Sequence, residues 1–282
     1  MHFKTVVFGV TVLFAGTAGG FDFGSIDLGK VGEMIGKAQE AVTEVDEPRE
    51  IELGTAVSAR LLGAAPLVEN VSVQRYVNQV GLWVARHSER PSLPWRFGVI
   101  DTDSINAFAA PGGYVFITRG LFMALRDEAE LAGVLGHEIV HVLRRHHLNA
   151  IQEQARMGLA ADVASIMARQ DGRNIDALVN AGMELYTKGL DREDEFEADR
   201  DGVVLAQRAG YAPDGLRGVL VTLDAMGGAS DALALLFKTH PAPADRLEAL
   251  DVHHASRWRH GQELPRLPRR LALFQQALYE SG

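Results

Sequence analysis

The sequence predicts an α+β domain that is mostly helical and carries one small β-sheet. Strand-forming residues are concentrated in two segments of the first half, WRFGVID at 95–101 and NAFAAPGGYVFITRG at 106–120. From Asp127 onward, apolar residues recur at the spacing of amphipathic helices. The chain has 282 residues, of which 47% are hydrophobic, and this composition suffices for a substantial buried core.

The first residues have the composition of an export signal. MHFKTVVFGVTVLFAGTAGG contains one early lysine, an apolar run from Val6 to Ala15 and small residues after it. We therefore expect residues 1–18 to be a signal peptide, because the run is too short to span a bilayer comfortably. An uncleaved membrane anchor is the alternative. Residues 19–49, first Gly-rich and then acidic, are predicted to be a linker with a short helix.

Helices are predicted on both sides of the strands. Apolar residues recur with helical spacing from Ile51 to His87, and Pro91 and Pro94 end this pattern ahead of the first strand. The Pro-Gly-Gly turn before Tyr114 predicts that the next two strand segments form a hairpin or meander. One helix is predicted to begin at residue 127, and others are predicted at 148–185, 191–208 and 216–226. An apolar helix is predicted to end at residue 237, and a short helix is predicted to end at residue 250.

The charge and the absence of cysteine exclude several kinds of function. Without cysteine, disulfides, thiolate metal ligands and a cysteine nucleophile are all excluded. The net charge of −9 argues against nucleic acid as a partner. Residues 253–282 form a basic C-terminal tail, which we expect to be a solvated surface, with peripheral contact to lipid headgroups or a partner protein as the alternative. Its arginines are Arg257, Arg259, Arg266, Arg269 and Arg270.

The run GHEIVH, which contains His137, Glu138 and His141, carries the strongest chemical signal. Residues four apart lie on one helical face, so both imidazoles can reach one Zn²⁺ while the carboxylate takes a proton from water. Asp127 and Glu130, spaced as in a capping box, predict that the motif lies well inside an amphipathic helix. The motif predicts peptide-bond hydrolysis, and a chance occurrence of HExxH is the alternative.

A catalytic zinc needs a third protein ligand, and the acidic run DREDEFEADRD at 191–201 is the richest source of candidates. Glu195 and Asp199 are four residues apart, so one could bind the metal while the other accepts an imidazole N–H. Spacing alone does not separate Glu195 from Glu193 or Glu197. An acidic, solvated helix face is the alternative.

Three motifs in this order, GHEIVH, EFEAD and KTHPAPADRL, resemble peptidase family M48, the gluzincin family that includes HtpX and the CAAX prenyl proteases. The resemblance is closest to the soluble, periplasmic BepA-like branch. It implies a zincin-type metalloprotease domain at residues 50–252, mostly helical, with a small β-sheet whose edge strand lines the active site. It also implies a periplasmic location and leaves membrane association open.

The resemblance assigns roles within the acidic run. It implies that Glu195 is the third zinc ligand and that Asp199 supports the site. Glu193 and Glu197 would then be surface residues.

His240 and Arg246 lie in the third motif. The resemblance implies that His240 is close to the metal, where it either stabilises the developing oxyanion or occupies the open coordination position of a resting state. A purely structural histidine, extended ahead of Pro241, is the alternative. Arg246 is expected to support the site, and a surface ion pair with Glu248 or Asp245 is the alternative.

The segment Asn106, Ala107 and Phe108 resembles the active-site edge strand of gluzincins, whose backbone pairs with an extended substrate. Such pairing implies loose specificity, because main-chain hydrogen bonds do not read side chains. An ordinary core hairpin with Phe108 buried is the alternative.

The HExxH motif predicts an endopeptidase with one Zn²⁺ per chain, and the resemblance implies that it hydrolyses peptide bonds of unfolded or misassembled envelope proteins. Glu138 is the predicted general base, and His240 is the predicted second catalytic residue. A periplasmic chaperone or assembly factor, with a zinc site that His240 occludes, is the alternative. A helical binding protein in which HEIVH is accidental is the third hypothesis. The oligomeric state stays open.

Overall fold

The computed structural model describes residues 45–161, 183, 186–227, 231–260 and 263–280. The predicted signal peptide, most of the predicted linker and part of the helix predicted at 148–185 lie outside these residues. Within the described ranges, no helix has both the length and the apolar character needed to cross a membrane.

Helices make up most of the described chain, which confirms the mostly helical α+β fold. The strands are β1 (Arg96–Ile100), β2 (Ala107–Ala110) and β3 (Tyr114–Thr118). The helices are α1 (Glu47–Ala64), α2 (Val71–Ala85), α3 (Arg119–Ala124), α4 (Glu128–Leu143), α5 (His146–Ala161), α6 (Arg192–Arg208), α7 (Gly215–Met226), α8 (Leu236–Thr239), α9 (Pro243–His260) and α10 (Pro268–Tyr279).

Several predicted elements are present with shifted bounds. The helical pattern from Ile51 to His87 corresponds to two helices, α1 and α2, because the chain is extended around Leu67, which forms a β-bridge with Ile100. The predicted helices at 191–208 and 216–226 are α6 and α7. The short helix predicted up to residue 250 continues to His260 as part of α9. The domain boundaries predicted at residues 50 and 252 fall inside helices α1 and α9. These boundaries stay predictions.

The three strands form one sheet in the order β1-β3-β2. β2 and β3 are antiparallel and form the predicted hairpin, whereas β1 and β3 are parallel. The hairpin turn needs its glycines, because Gly112 and Gly113 have φ angles of 74° and 97°, which side chains rarely adopt. β2 therefore lies at an edge of the sheet, next to the helix that carries the HExxH motif.

Helix α4 is the centre of the fold. Its residues from Glu128 to Val142 are all buried, and it packs against α2, α6, α7 and β2. The predicted apolar stripe of α4 faces the main core, where Leu131, Leu135 and Ile139 are fully buried. A helix buried on all sides holds its side chains in fixed directions, which suits a site built from them.

Helices α4 and α6 approach one another backbone to backbone through two glycines. A Cβ on Gly202 would lie 2.7 Å from the backbone nitrogen of His137, and one on Gly136 would lie 2.8 Å from the carbonyl oxygen of Gly202. Only glycine permits so close a crossing. It brings the acidic run on α6 beside the histidines on α4.

The basic C-terminal tail packs on the domain through α10. Arg266 Nε donates to Asp127 at 2.7 Å, and Arg270 pairs with the fully buried Glu128 at the start of α4. The Tyr76 ring of α2 stacks on Phe274 of α10, with ring centroids 4.0 Å apart. Arg270 stays exposed, as expected, and Arg266 is half-buried, but both arginines also bind carboxylates at the N-terminus of α4, which the sequence did not predict.

Candidate active site

The HExxH histidines project from the middle of α4. Asp127 caps this helix by accepting a hydrogen bond from the backbone N–H of Glu130 at 2.9 Å. His137 and His141 lie one turn apart, and their Nε2 atoms are 3.0 Å from each other. Burial lowers the pKa of His141 well below its ordinary value, so this imidazole is neutral and keeps a lone pair for a ligand role.

Glu195 of α6 faces both histidines. Its Oε2 lies 3.6 Å from His137 Nε2, and its Oε1 lies 3.5 Å from His141 Nε2. Burial alone would raise the pKa of Glu195, but the charge and hydrogen bond of His240, together with the charge of His137, lower it below its ordinary value. The carboxylate is therefore ionised in a fully buried position.

The donor set formed by these three side chains fits a divalent cation. Two imidazole nitrogens and a carboxylate converge, and Glu195 Oε1 is buried without a hydrogen-bond partner in the described part of the chain. A buried carboxylate oxygen without a donor is costly, and a bound cation would satisfy it. Nitrogen and oxygen ligands of this kind suit Zn²⁺.

Asp199 and Arg246 support His137 from behind. Asp199 Oδ1 lies 2.9 Å from His137 Nδ1, and Arg246 Nε donates to Asp199 Oδ2 at 2.8 Å. Burial would raise the pKa of Asp199, but the Arg246 guanidinium and the hydrogen bonds to the carboxylate hold it well below its usual range. Because Asp199 accepts the Nδ1 proton, the Nε2 lone pair of His137 points at the site. Arg246 binds Asp199 rather than the surface partners considered as alternatives.

His240 lies on the open side of the cluster. It follows α8 in the extended conformation expected ahead of Pro241, with φ −131° and ψ 153°. Its Nδ1 lies 2.6 Å from Glu195 Oε2, and one ligand atom each from His137, Glu195 and His240 lie within 4.8 Å of one another. His240 is therefore positioned to contact either a metal or a group bound to it.

Glu138 stands between two small cavities. One cavity of about 20 Å³ lies towards Phe108, His147 and Tyr186, and another of about 30 Å³ lies towards aliphatic residues of α4 and α7. Both are also lined by Ala107 and His240. Burial raises the pKa of Glu138 above its ordinary value, with the charges of His137 and His240 opposing this shift. A carboxylate with a raised pKa is a better proton acceptor.

On the side away from β3, strand β2 has no partner strand among the described residues, and this free edge borders the first of these cavities. The backbone carbonyl of Asn106 accepts from the backbone N–H of Thr118 at 3.0 Å. The backbone N–H and C=O groups of Asn106 and Phe108 therefore point towards β3 in the antiparallel ladder. The backbone groups of Ala107 and Ala109 then point away from the sheet. The Phe108 side chain is half-buried and lines the cavity.

Three residues near the cluster were not identified from the sequence. Tyr186 donates its phenolic O–H to the free-edge carbonyl of Ala109 at 2.6 Å, and its ring stacks on His147. Burial lowers the pKa of His147 to about 3, so this ring is neutral. His146 contacts His141 and Glu197, and the Glu197 side chain, 36% exposed, lies at the surface as expected.

The chain is similar in sequence to known proteins. The sequence model of Peptidase family M48 matches residues 72–253. The chain is 32% identical over 206 residues to the beta-barrel assembly-enhancing protease of Escherichia coli strain K12, covering 71% of this chain and 42% of that protein. It is 28% identical over 176 residues to the mitochondrial metalloendopeptidase OMA1 of Schizosaccharomyces pombe, covering 62% of this chain and 51% of that protein.

A putative beta-barrel assembly-enhancing protease of Vibrio cholerae is 31% identical over 233 residues, which are 79% of this chain and 46% of that protein. The chain thus spans less than half the length of these two bacterial relatives. The matched segment 72–253 nevertheless includes the whole cluster, on α4, on α6 and directly after α8, and the β2 edge. The chain belongs to peptidase family M48, a family of metallopeptidases.

Proposed function

We propose that this chain is a zinc-dependent endopeptidase that cleaves unfolded or misassembled envelope proteins. The observation that carries the proposal is the convergence of His137, His141 and Glu195, with their ligand atoms within 3.6 Å of one another, beside the buried Glu138. These three residues would hold one zinc ion, which supplies Lewis acidity at such sites. Chance occurrence of HExxH does not account for a carboxylate from a different helix that faces both histidines.

Glu138 is the proposed general base. It would take a proton from the attacking water and return it to the nitrogen of the leaving amine. His240 would donate a hydrogen bond from its imidazole to the oxygen on which negative charge develops. Its side chain is 11% exposed, so this hydrogen bond would form largely away from bulk water.

The free edge of β2 is the proposed substrate-binding strand. The outward backbone groups of Ala107 can pair with an extended peptide, and Ala107 lies beside Glu138 in both cavities. The carbonyl of Ala109 already accepts a hydrogen bond from Tyr186, so Ala107 is the proposed pairing position. Pairing through the main chain requires an unfolded segment and reads few side chains. The names of the bacterial relatives, which refer to β-barrel assembly, support envelope proteins as substrates and a periplasmic location.

Cleavage of an unfolded model protein tests this proposal. The wild-type chain should cleave it, a chelator should abolish cleavage, and added Zn²⁺ should restore it. Glu138→Gln should keep zinc but lose at least about 100-fold in rate, since it removes the base. Glu193→Gln, which changes an exposed carboxylate on α6, is the matched control and should cleave normally. Cleavage by Glu138→Gln at the wild-type rate would refute the assignment.

A chaperone or assembly factor with an occluded zinc site is the second candidate. The observation that favours it is the short contact of 2.6 Å between His240 and Glu195, which closes the open side of the cluster. The two hypotheses predict opposite effects of His240→Ala. An increase in proteolysis would favour an occluded resting site, whereas a loss would favour the catalytic role of His240.

A further inference from the structure

We propose that His146 is a positioning residue that fixes the orientation and tautomer of the ligand His141. This inference rests on the proposed metal site and adds a residue that neither the HExxH motif nor the acidic run contains. Its basis is a direct contact: His146 Nδ1 lies 3.0 Å from His141 Nδ1, and His146 is 4% exposed.

The hydrogen-bond direction follows from the ligand role of His141. Its Nε2 faces His137 and Glu195, so this nitrogen must carry the lone pair and Nδ1 must carry the proton. In the described part of the chain the partner of this Nδ1 proton is His146 Nδ1, which must then be the acceptor. The tautomer of His146 is thereby determined, with its own proton on Nε2.

The contacts of His146 Nε2 fit a proton on this nitrogen. Its Nε2 lies 3.4 Å from Glu197 Oε2 and 3.5 Å from Asp194 Oδ1, both of which accept a proton donor. The chain of contacts thus runs from His141 through His146 to two carboxylates of α6. The same helix also provides Glu195 and Asp199, so α6 supports both metal histidines.

The two ligands are supported in different ways. His137 donates to a fully buried carboxylate that is paired with Arg246, whereas His141 donates to a neutral acceptor whose carboxylate partners are about one-third exposed. Partners of this kind orient the imidazole and commonly change metal affinity about 10- to 100-fold when removed. His146 is therefore expected to matter for metal affinity and geometry, and not through contact with substrate.

A backbone feature brings His146 into this position. Arg145, between α4 and α5, has a φ of 58°, an unfavourable left-handed conformation for a residue other than glycine. Its guanidinium pairs with the buried Glu50 at 3.0 Å, which holds the turn. Without the turn, a residue five positions after His141 would not lie on the same helical face.

An isosteric pair of variants tests the inference. In His146→Asn the side-chain oxygen stands near the position of Nδ1 and can still accept from His141. In His146→Gln the amide stands near the position of Nε2 and retains only the contact with Glu197. We expect the zinc dissociation constant, measured by competition with a chelating dye, to stay near wild type for Asn and to rise about 10- to 100-fold for Gln.

The visible absorption spectrum of the Co²⁺-substituted protein provides a second readout, since it reports ligand geometry rather than stability. His146→Gln should shift this spectrum, and His146→Asn should leave it close to that of the wild type. His253→Asn, which changes an exposed histidine of α9, is the control and should change neither measurement. Equal zinc affinity in the Asn and Gln variants would overturn the inference. A wild-type chain that binds no zinc would instead refute the proposed function.

Discussion

At the level of single residues, Asp199 links His137 to the buried Arg246. It accepts from His137 and is paired with the buried Arg246, so its charge affects both groups. Asp199→Asn should weaken zinc binding about 10- to 100-fold, because the amide leaves Arg246 unpaired and orients His137 poorly. A dye-competition titration measures this effect, with the exposed Asp224→Asn as control. Unchanged zinc affinity in Asp199→Asn would show that this carboxylate does not support the ligand.

Not every residue of the site could be predicted from the chain. The i, i+4 spacing of His137 and His141 predicts their shared face, and the family resemblance singles out Glu195 among its acidic neighbours. The contact of His146 with His141 depends on the left-handed turn at Arg145. Such a turn at an arginine has no signature in hydrophobic periodicity, so this contact required coordinates.

The crossing of helices α4 and α6 determines whether the proposed ligands His137, His141 and Glu195 meet. Gly202→Ala would place a Cβ 2.7 Å from the backbone nitrogen of His137, and backbone cannot move aside as a side chain can. We expect a loss of about 3 kcal/mol in the free energy of unfolding and weaker zinc binding. Urea denaturation and metal titration measure the two effects.

Gly63→Ala is the matched control for that prediction. Gly63 lies in the last turn of α1, and an added Cβ there has no heavy atom within 4 Å. Alanine should be neutral or stabilise by up to about 1 kcal/mol, since it favours helix. Equal stability of the two variants would contradict the importance of the close crossing.

The contact between α10 and the start of α4 is a second prediction about elements. Glu128 is fully buried and bound by Arg270, Tyr76 and Tyr211. Arg270→Gln removes the cation but leaves both phenolic donors, so the free energy of unfolding should fall by about 1–3 kcal/mol. Arg269→Gln, at an exposed position of the same helix, should leave the urea midpoint unchanged. The same midpoint in both variants would mean that α10 contributes no stability through this pair.

Element types were easier to predict than their pairing. The strand segments and the Pro-Gly-Gly turn predict the β2–β3 hairpin, because that contact is local in sequence. The parallel pairing of β1 with β3 joins segments separated by β2, and no local pattern encodes it. The docking of the basic tail was missed for a related reason, since Arg266 and Arg270 meet acceptors more than 130 residues away.

For the whole molecule, metal binding and folding should be linked. The proposed ligands come from α4 and α6, which meet only in the folded state, so zinc should stabilise the native chain. At a free zinc concentration about 100 times the dissociation constant, the gain should be about 2.7 kcal/mol. Urea denaturation with and without zinc measures it, and Glu195→Ala should lose the gain. A zinc-independent midpoint for the wild type would contradict a site formed by folding.

We propose that α6 delivers the third metal ligand, Glu195, to the histidines of α4. The most direct measurement is the zinc content, after dialysis, of the wild type, Glu195→Ala and Glu193→Ala. Glu195 faces both histidines, whereas Glu193 is exposed two residues earlier on the same helix. We predict one zinc per chain for the wild type and for Glu193→Ala, and little for Glu195→Ala. Full zinc content in Glu195→Ala, or none in the wild type, would contradict the account.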